Sequence, residues 1–460
     1  MLSTRLPSNL KAIHFIGIGG IGMSGIAEVL LNLGYEVQGS DLKNSPIIER
    51  LEKIGAIIFL KHSSNNLKNV DVVVVSSAIS TENIELLEAR KKNLPVVRRA
   101  EMLAELMRLK YNVAVAGSHG KTTTTSMISA IFDQGGLDPT VINGGIIQSY
   151  GSNARHGSGD WMVVEADESD GTFIKLPSTI AIVTNIDREH LEFYGKFLNL
   201  KKAFYNFLTN IPFYGLAICC TDHPEVQKLV GKVRDRRIIT YGFNKQADFR
   251  VLNLIQNEKG SNFDVYISSE MKFLKNFFLP MPGEHNVLNA LASITLSYYL
   301  KIEFKDIMKA LLNFSGVKRR FTFLNEWNGV KIIDDYAHHP SEISAVLRAS
   351  KKITKGKVIV VHQPHRYSRV YDLFDSFCSC FNEADIVGIT NIYSAGEEPI
   401  EGVSKEKLVE GLFDSGHKSA HTVEDEVGLK IFLKKHAKSG DLFICLGAGS
   451  ISSWLNKIIK

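Results

Sequence analysis

Three times along this chain an apolar, β-branched run stops at glycines or small polar residues and a helix-period pattern follows. The first begins at Ala12 (AIHFIGIGGIGMSGIAEVLLNLG) and the second at Tyr111 (YNVAVAGSHGKTTTTSMISAIF). The third joins a strand around Ile332 to KVIVVHQPH, from Lys357. A strand that is apolar throughout must be covered on both faces, and helices that return between parallel strands do this. The pattern therefore calls for parallel α/β sheets. Four more runs fit the same plan: DVVVVSSA from Asp71, WMVVEADESD from Trp161, IAIVTNID from Ile180 and DLFICLGAGS from Asp441. Each ends in polar residues or glycines, at the strand end where open α/β sheets collect ligands.

At 460 residues the chain is too long for one ordinary core. Breaks after AEMLAELMRL and after GVKRRF divide it into expected domains 1–108, 109–320 and 321–460. Residues 217–281 alternate strand-like runs with turns and read as an insertion in the middle domain. A net charge of +5 is mild for this length, so a nucleic-acid partner is not expected, although anionic substrates would suit it. No signal-peptide pattern opens the chain, and no apolar run is long enough to span a bilayer. The expected location is the cytoplasm. Five cysteines, an odd number without metal-ligand spacing, fit a reducing compartment. The Cys378–Cys380 pair reads as packed thiols rather than a metal site.

The residues from Gly117 to Thr123 (Gly117, Ser118, His119, Gly120, Lys121, Thr122, Thr123) stand between a strand and a helix. Backbone N–H groups of such a loop cradle phosphates, the lysine reaches the β- and γ-phosphates, and the Thr122 hydroxyl can ligate Mg²⁺. The pattern is the short form G-x-x-G-K-T-T, because Val115 stands where the longer form has its first glycine. Glu165, Asp167, Glu168 and Asp170 cluster at a strand end. By themselves they read equally as a magnesium site or a solvated acidic loop. His190, alone in TNIDREHLEFYG, reads as an ordinary surface or core histidine, since Mg²⁺ prefers oxygen. Gly17, Gly19 and Gly22 make a G-x-G-x-x-G, with Asp41 19 residues after Gly22. That fits a dinucleotide fingerprint and the pyrophosphate of a UDP-sugar equally well. Arg366 and Arg369, three apart in HQPHRYSR, suit a carboxylate or phosphate, with a solvated basic turn as the alternative.

Taken in order, GIGGIGMSGIAE, GSHGKTTTT, EADESDGTF, TNIDREHLEFYG, PGEHNVLNALA, GVKRRF, DDYAHHPSE and HQPHRYSR resemble the Mur ligase family over essentially the whole chain. The resemblance implies an α/β protein of three domains: an N-terminal Rossmann-like domain, a central P-loop-type ATPase domain with a parallel sheet, and a C-terminal Rossmann-like domain. It implies ATP and Mg²⁺ as cofactors, with an ATP-driven amide-bond ligase joining L-alanine to UDP-N-acetylmuramate through an acyl phosphate. The implied UDP-sugar site comprises Gly17, Gly19, Gly20, Gly22, Ser40, Asp41, Ser76 and Ser77. Glu165 and His190 would join Thr122 as magnesium ligands. His285, Asn286 and Asn289 would lie near the nucleotide base, and Arg320 and Asp335 would reach ATP. His338, Arg366 and Arg369 would form the amino-acid site, with His338 as a candidate proton acceptor.

Two departures select a branch of the family. Phe204 stands where relatives adding later residues carry a carbamylated lysine. YSAGEEPIEG, from Tyr393, replaces the D-N-P-R signature of the diaminopimelate-adding ligases. Both favour the alanine-adding branch, with a tripeptide-adding recycling ligase as the alternative. An oxidoreductase using the first glycine loop would leave Lys121 unexplained. A non-catalytic nucleotide switch would leave the arginine pair unexplained, and a folate polyglutamate ligase would have no use for the N-terminal segment.

Overall fold

The computed structural model describes residue 6, residues 10–76 and residues 78–458. The chain forms two compact units. One comprises Met1–Val251, Val265–Leu274 and Asn289–Ser315, and the other Leu252–Asp264, Lys275–Leu288 and Gly316–Lys460. Every strand expected from the sequence is present, and the strands fall into three sheets.

The first sheet holds β1 (Ala12–Ile16), β2 (Glu36–Ser40), β3 (Ile57–Phe59), β4 (Val72–Val75) and β5 (Val96–Arg98) in the order β3-β2-β1-β4-β5. All four pairings are parallel. The strand order reverses beside β1, so a crevice opens at the carboxyl ends of β1 and β4, next to the first glycine loop.

The central sheet holds β6 (Tyr111–Ala116), β7 (Thr140–Ile147), β8 (Ser152–Arg155), β9 (Trp161–Glu165), β10 (Ile180–Val183), β11 (Leu216–Cys220), β12 (Ile238–Gly242), β13 (Phe249–Asn257), β14 (Gly260–Ile267) and β15 (Lys272–Leu279). Its order is β15-β14-β13-β12-β11-β10-β6-β9-β7-β8. Residues 217–281 are thus no separate insertion, because β11 pairs parallel to β10 and the strands after it continue the same sheet. Phe204 lies in the helix Phe197–Thr209, fully buried with its ring 5.2 Å from that of Phe173, so this position is core.

The third sheet holds β16 (Thr322–Trp327), β17 (Val330–Asp335), β18 (Val358–His362), β19 (Ile386–Thr390), β20 (Ala420–Val423) and β21 (Leu442–Leu446), ordered β16-β17-β21-β18-β19-β20. Only the edge strand β16 is antiparallel. All five cysteines are buried and unpaired. No helix among the described residues is long and apolar enough to cross a membrane.

Beneath the first glycine loop lies a buried polar knot. Glu85, in the first turn of the helix Ile84–Lys91, and His14 on β1 are both fully buried. Glu85 Oε2 accepts from the Ser40 hydroxyl at 2.5 Å and lies 3.4 Å from His14 Nε2 and 3.3 Å from His62 Nδ1. Its Oε1 accepts from Asn66 Nδ2 at 2.5 Å and from the Ser63 N–H at 3.1 Å. Burial alone would raise the pKa of this carboxyl. The hydrogen bonds from His14, Ser40 and Ser63 and the charge of His14 outweigh burial and bring it down to about 2. A depressed carboxyl stabilises the fold above its ordinary pKa and loses that contribution as pH falls toward the folded value. Glu85→Gln is therefore expected to cost about 2 kcal/mol at neutral pH. In urea unfolding at a series of pH values, the deficit should shrink from about pH 5 to about pH 2. A deficit independent of pH would contradict this account.

Candidate active site

The loop after β1 is held by backbone geometry. Gly17 has a left-handed φ of 82°, and its N–H and that of Ile18 donate to the Ser40 carbonyl at 2.8 and 3.1 Å. The Gly20 N–H donates to the Gly17 carbonyl at 3.2 Å, and Gly20 caps the helix Ile21–Asn32. Asp41 Oδ2 accepts from the Gly19 N–H at 2.9 Å, and its Oδ1 accepts from the Leu42 N–H at 2.7 Å. A Cβ on Gly22 would stand 2.6 Å from Arg99 Nη1, so glycine there admits a guanidinium that reaches on to Asp167 Oδ2 at 3.1 Å. Ser76 follows β4, its N–H bonded to the Ile16 carbonyl at 3.3 Å. These residues gather at one crevice; Ser77 lies outside the described residues. Two expected sugar contacts are engaged within the protein, the Ser40 hydroxyl by Glu85 and the Asp41 carboxylate by the loop itself.

The loop after β6 enters the helix Lys121–Gln134. Gly117 has φ 135° and Gly120 φ 82°, both unfavourable for an L side chain. A Cβ on Gly117 would fall on Thr184 Oγ1, and one on Gly120 would stand 2.5 Å from Asn289 Oδ1. Asn289 also accepts from the Thr124 hydroxyl at 3.2 Å, which places this expected nucleotide residue directly against the loop. The helix carries no acidic residue of its own in its first turn, so its N-terminus keeps the positive potential of the backbone. Asn185 fixes the loop by accepting from the Ser118 N–H with its carbonyl (3.1 Å) and from the His119 N–H with its side chain (2.7 Å). Asp187 lies 2.9 Å from His119 Nε2 and 3.2 Å from His223 Nε2. Burial opposes ionisation of Asp187, yet these two histidines hold it well below the usual carboxylate range.

Lys121 Nζ donates to the Gly117 carbonyl (2.6 Å), the Ser118 carbonyl (3.2 Å) and Glu168 Oε1 (2.9 Å). Its side chain is 13% exposed and that of Glu168 is wholly buried. Burial favours neutral lysine, but Glu168, Glu165, Asp167 and Glu189 together raise its pKa, so the ammonium persists. Glu165 accepts from the Gly144 N–H at 2.7 Å, and a Cβ on Gly144 would stand 2.6 Å from both Glu165 oxygens. Thr122 is buried, and its carbonyl accepts from Asn143 Nδ2 at 3.4 Å.

His190 adopts φ 56° at the start of the helix Leu191–Tyr194. Its ring and the carboxylates of Glu168 and Glu189 offer ligand atoms all within 4.8 Å of one another. Glu168 Oε2 is buried without a hydrogen-bond partner. An orphaned buried carboxylate oxygen is costly unless a cation satisfies it, so two carboxylates and an imidazole here fit a divalent ion. The sequence places Glu168 among the strand-end acids that read as a magnesium site or a solvated loop, and gives Glu189 no role. The signal for Glu189 was its place next to His190 in DREH.

The second unit carries its own cluster. Asp335, at the end of β17, is buried and accepts from the Phe321 N–H (2.6 Å) and the Ala337 N–H (2.7 Å). Burial, partly offset by Arg320 and these hydrogen bonds, pushes its pKa up to about 6. Arg320 Nη1 lies 3.7 Å from Glu342, and its guanidinium covers the Tyr336 ring. His338 Nδ1 lies 3.0 Å from the Tyr336 carbonyl and 3.4 Å from Glu342 Oε2. The His338 and His365 rings meet at 5.7 Å, and His365 stacks on Tyr393 at 5.4 Å. Arg369 Nη1 donates to the His365 carbonyl at 3.2 Å, and Arg366, at φ 70°, lies 3.8 Å from Glu397. Burial, with Arg369 and Arg366 alongside, brings the His365 pKa down to about 4. His338, Arg366 and Arg369 are therefore brought together, and Glu342, His365 and Glu397 are partners the sequence reading missed. At the start of the helix Glu284–Tyr299, burial brings the His285 pKa down to about 4, and Asn286 donates to the Pro282 carbonyl at 2.7 Å.

Three parallel-rich α/β domains with this phosphate-type loop define a class. Residues 12–111 match the description "Mur ligase family, catalytic domain", residues 115–297 "Mur ligase middle domain", and residues 319–449 "Mur ligase, glutamate ligase domain". The chain belongs to the Mur ligase family and is a ligase. It is 59% identical to the UDP-N-acetylmuramate–L-alanine ligase of Jannaschia sp., over 99% of this chain and 96% of that protein. It is equally identical to the enzyme of that name from Dinoroseobacter shibae, over 99% and 98%. The crystal structure of the UDP-N-acetylmuramate-alanine ligase from Thermotoga maritima superposes with a TM-score of 0.82 at 29% identity, covering 97% of this chain and 98% of that one. A murein peptide ligase from Psychrobacter arcticus shares the fold at 0.70 and 23% identity, covering 98% of each chain.

The Lys121–Glu168 pair has a testable signature. Lys121→Met leaves Glu168 buried without its cation and is expected to destabilise the fold by about 3 kcal/mol. Adding Glu168→Gln should restore much of that stability without restoring ATP-dependent turnover, as read by denaturant unfolding and phosphate release. Additive stability losses in the double variant would contradict the pairing.

Proposed function

We propose that this ligase joins L-alanine to the lactyl carboxylate of UDP-N-acetylmuramate, using ATP and Mg²⁺. The observation that carries this reading is the buried ammonium of Lys121 in a glycine loop at a helix N-terminus, beside the Glu168–Glu189–His190 group. In this reading residues 1–108 hold the sugar nucleotide, 109–320 hold ATP and 321–460 hold the amino acid.

The carboxylate oxygen attacks the γ-phosphorus, ADP leaves, and an acyl phosphate forms. The neutral amine of alanine then attacks the acyl carbon, phosphate leaves, and one proton must be taken up. Phosphoryl transfer of this kind depends on positioning and charge neutralisation more than on covalent help from the protein. Lys121 and the N–H groups of Gly120 to Thr123 supply positive charge to the phosphates. Thr122, Glu165 and His190 are the expected magnesium ligands, and Glu168 and Glu189 join His190 as oxygen donors. When bound, Mg²⁺ neutralises charge on the phosphate oxygens. Asn289 backs the loop, while His285, Asn286, Arg320 and Asp335 are the remaining ATP contacts. Arg366 and Arg369 receive the alanine carboxylate, and Glu397 beside Arg366 favours a small zwitterion over a dianion. His338, oriented by the Tyr336 carbonyl and Glu342, is the proposed proton acceptor.

The deciding assay is phosphate release with ATP, Mg²⁺ and UDP-N-acetylmuramate, comparing L-alanine, an alanyl-glutamyl-diaminopimelate tripeptide and no acceptor. Release should require L-alanine and give a product heavier by one alanyl residue. Release only with the tripeptide would make the chain a recycling ligase. His338→Asn should lower kcat at neutral pH by about 10²-fold and flatten the acid limb of the pH–rate profile. An unchanged profile would remove His338 from the proton-transfer step.

A further inference from the structure

The reaction proposed above requires the sugar nucleotide held at the first glycine loop to bring its carboxylate to the γ-phosphate held at the second. One hairpin touches the helices that follow both loops. β7 and β8 pair antiparallel (Val141 with Arg155, Ile142 with Ala154), and the helix Ile21–Asn32 packs against both strands. On β7, Asn143 Nδ2 donates to Ser126 Oγ at 2.9 Å and to the Thr122 carbonyl at 3.4 Å, gripping the first turns of the helix that carries Lys121.

On β8, Asn153 is almost wholly buried. Its Nδ2 donates to the carbonyl of Ile21, the first residue of the helix after the glycine loop, at 2.6 Å. Its Oδ1 accepts from Arg50 Nη2 at 3.1 Å. Arg50 also lies 3.0 Å from Glu28 Oε2, which accepts from the Ser152 hydroxyl at 3.1 Å. Gly25, one turn further along the helix, brings it close. A Cβ there would stand 3.0 Å from Asn153 Nδ2 and 3.3 Å from both Ala154 Cβ and Ile142 Cγ2.

We propose that Asn153 is a positioning residue, and that the β7–β8 hairpin sets the spacing between the two nucleotide loops. A carboxamide presents a donor to the helix carbonyl and, from a separate atom, an acceptor to the guanidinium. Asn153 bonds the loop only at the Ile21 carbonyl, where it passes into the helix, and engages none of its N–H donors, so its loss should leave each ligand's own N–H donors in place while misplacing one loop relative to the other. A misplacement of about 1 Å at a reacting centre can cost about 10²-fold in rate.

The test uses Asn153→Ala and Gly25→Ala in the full chain. The second variant adds a methyl against the hairpin while improving helix propensity, so it guards against simple misfolding. Calorimetry should give affinities for UDP-N-acetylmuramate and for ATP, each measured alone, within about twofold of the parent, while kcat falls by about 10- to 100-fold in both variants. Spin labels at Asn32 and Gln134 should show a shifted or broadened distance between the two helices in the absence of any ligand. An unchanged distance and an unchanged kcat would overturn the proposal, as would a loss of sugar-nucleotide affinity that accounts for the whole activity loss. The label distance does not depend on turnover, so a parent protein inactive with L-alanine would refute the assigned reaction while leaving the clamp to be judged on its own.

Discussion

The buried ammonium of Lys121 is the constraint around which the first unit is organised. A lysine this enclosed would ordinarily lose its proton. Here two loop carbonyls and Glu168 hold it, and Glu165, Asp167 and Glu189 add negative potential. Such an arrangement is expensive to assemble, because removing either partner leaves a buried charge unanswered. It makes sense at a place where an incoming polyphosphate and a divalent ion can complete the charge balance. The orphaned oxygen of Glu168 marks the gap in that balance.

The same economy governs the N-terminal sheet. Ser40 gives its carbonyl to Gly17 and Ile18 and its hydroxyl to Glu85, so one residue ties the glycine loop to the buried knot beneath it. Asp41 spends its carboxylate on Gly19 and Leu42. The loop is thus shaped by the protein's own hydrogen bonds, which reduces the ordering cost of binding. The carboxyl ends of parallel strands are the common location: β1 and β4 in the first sheet, β6, β9 and β10 in the second, and β17 and β18 in the third all lead directly into residues of the candidate site.

Much of this was legible in advance. Apolar runs ending in glycine named the strands, because a strand covered on both faces leaves no other pattern. Gly117 to Thr123 named the phosphate-type loop, because a tight turn feeding a helix N-terminus needs glycine at set places. The misreadings share a cause. Residues 217–281 read as an insertion because their strands alternate with turns, yet β11 pairs with β10 and carries the sheet onward. Glu85, Arg99 and Glu189 escaped notice because each acts on a residue distant in sequence or hidden in a charged run, and no periodicity records that.

What the sequence by itself determined was the set of local geometries: strands, the left-handed glycines of two loops, the helix starts, and the family to which ordered motifs belong. These depend on neighbours within a few residues, where side-chain size and backbone freedom decide the outcome. Only the tertiary structure decided which charges meet. Lys121 and Glu168 stand 47 residues apart, and Asn153 and Ile21 132 apart. Whether such groups lie at 3 Å or 30 Å depends on strand order and helix packing. Because the energy of a buried charge depends on the groups around it, the chemistry of the site is a property of the packed sheets.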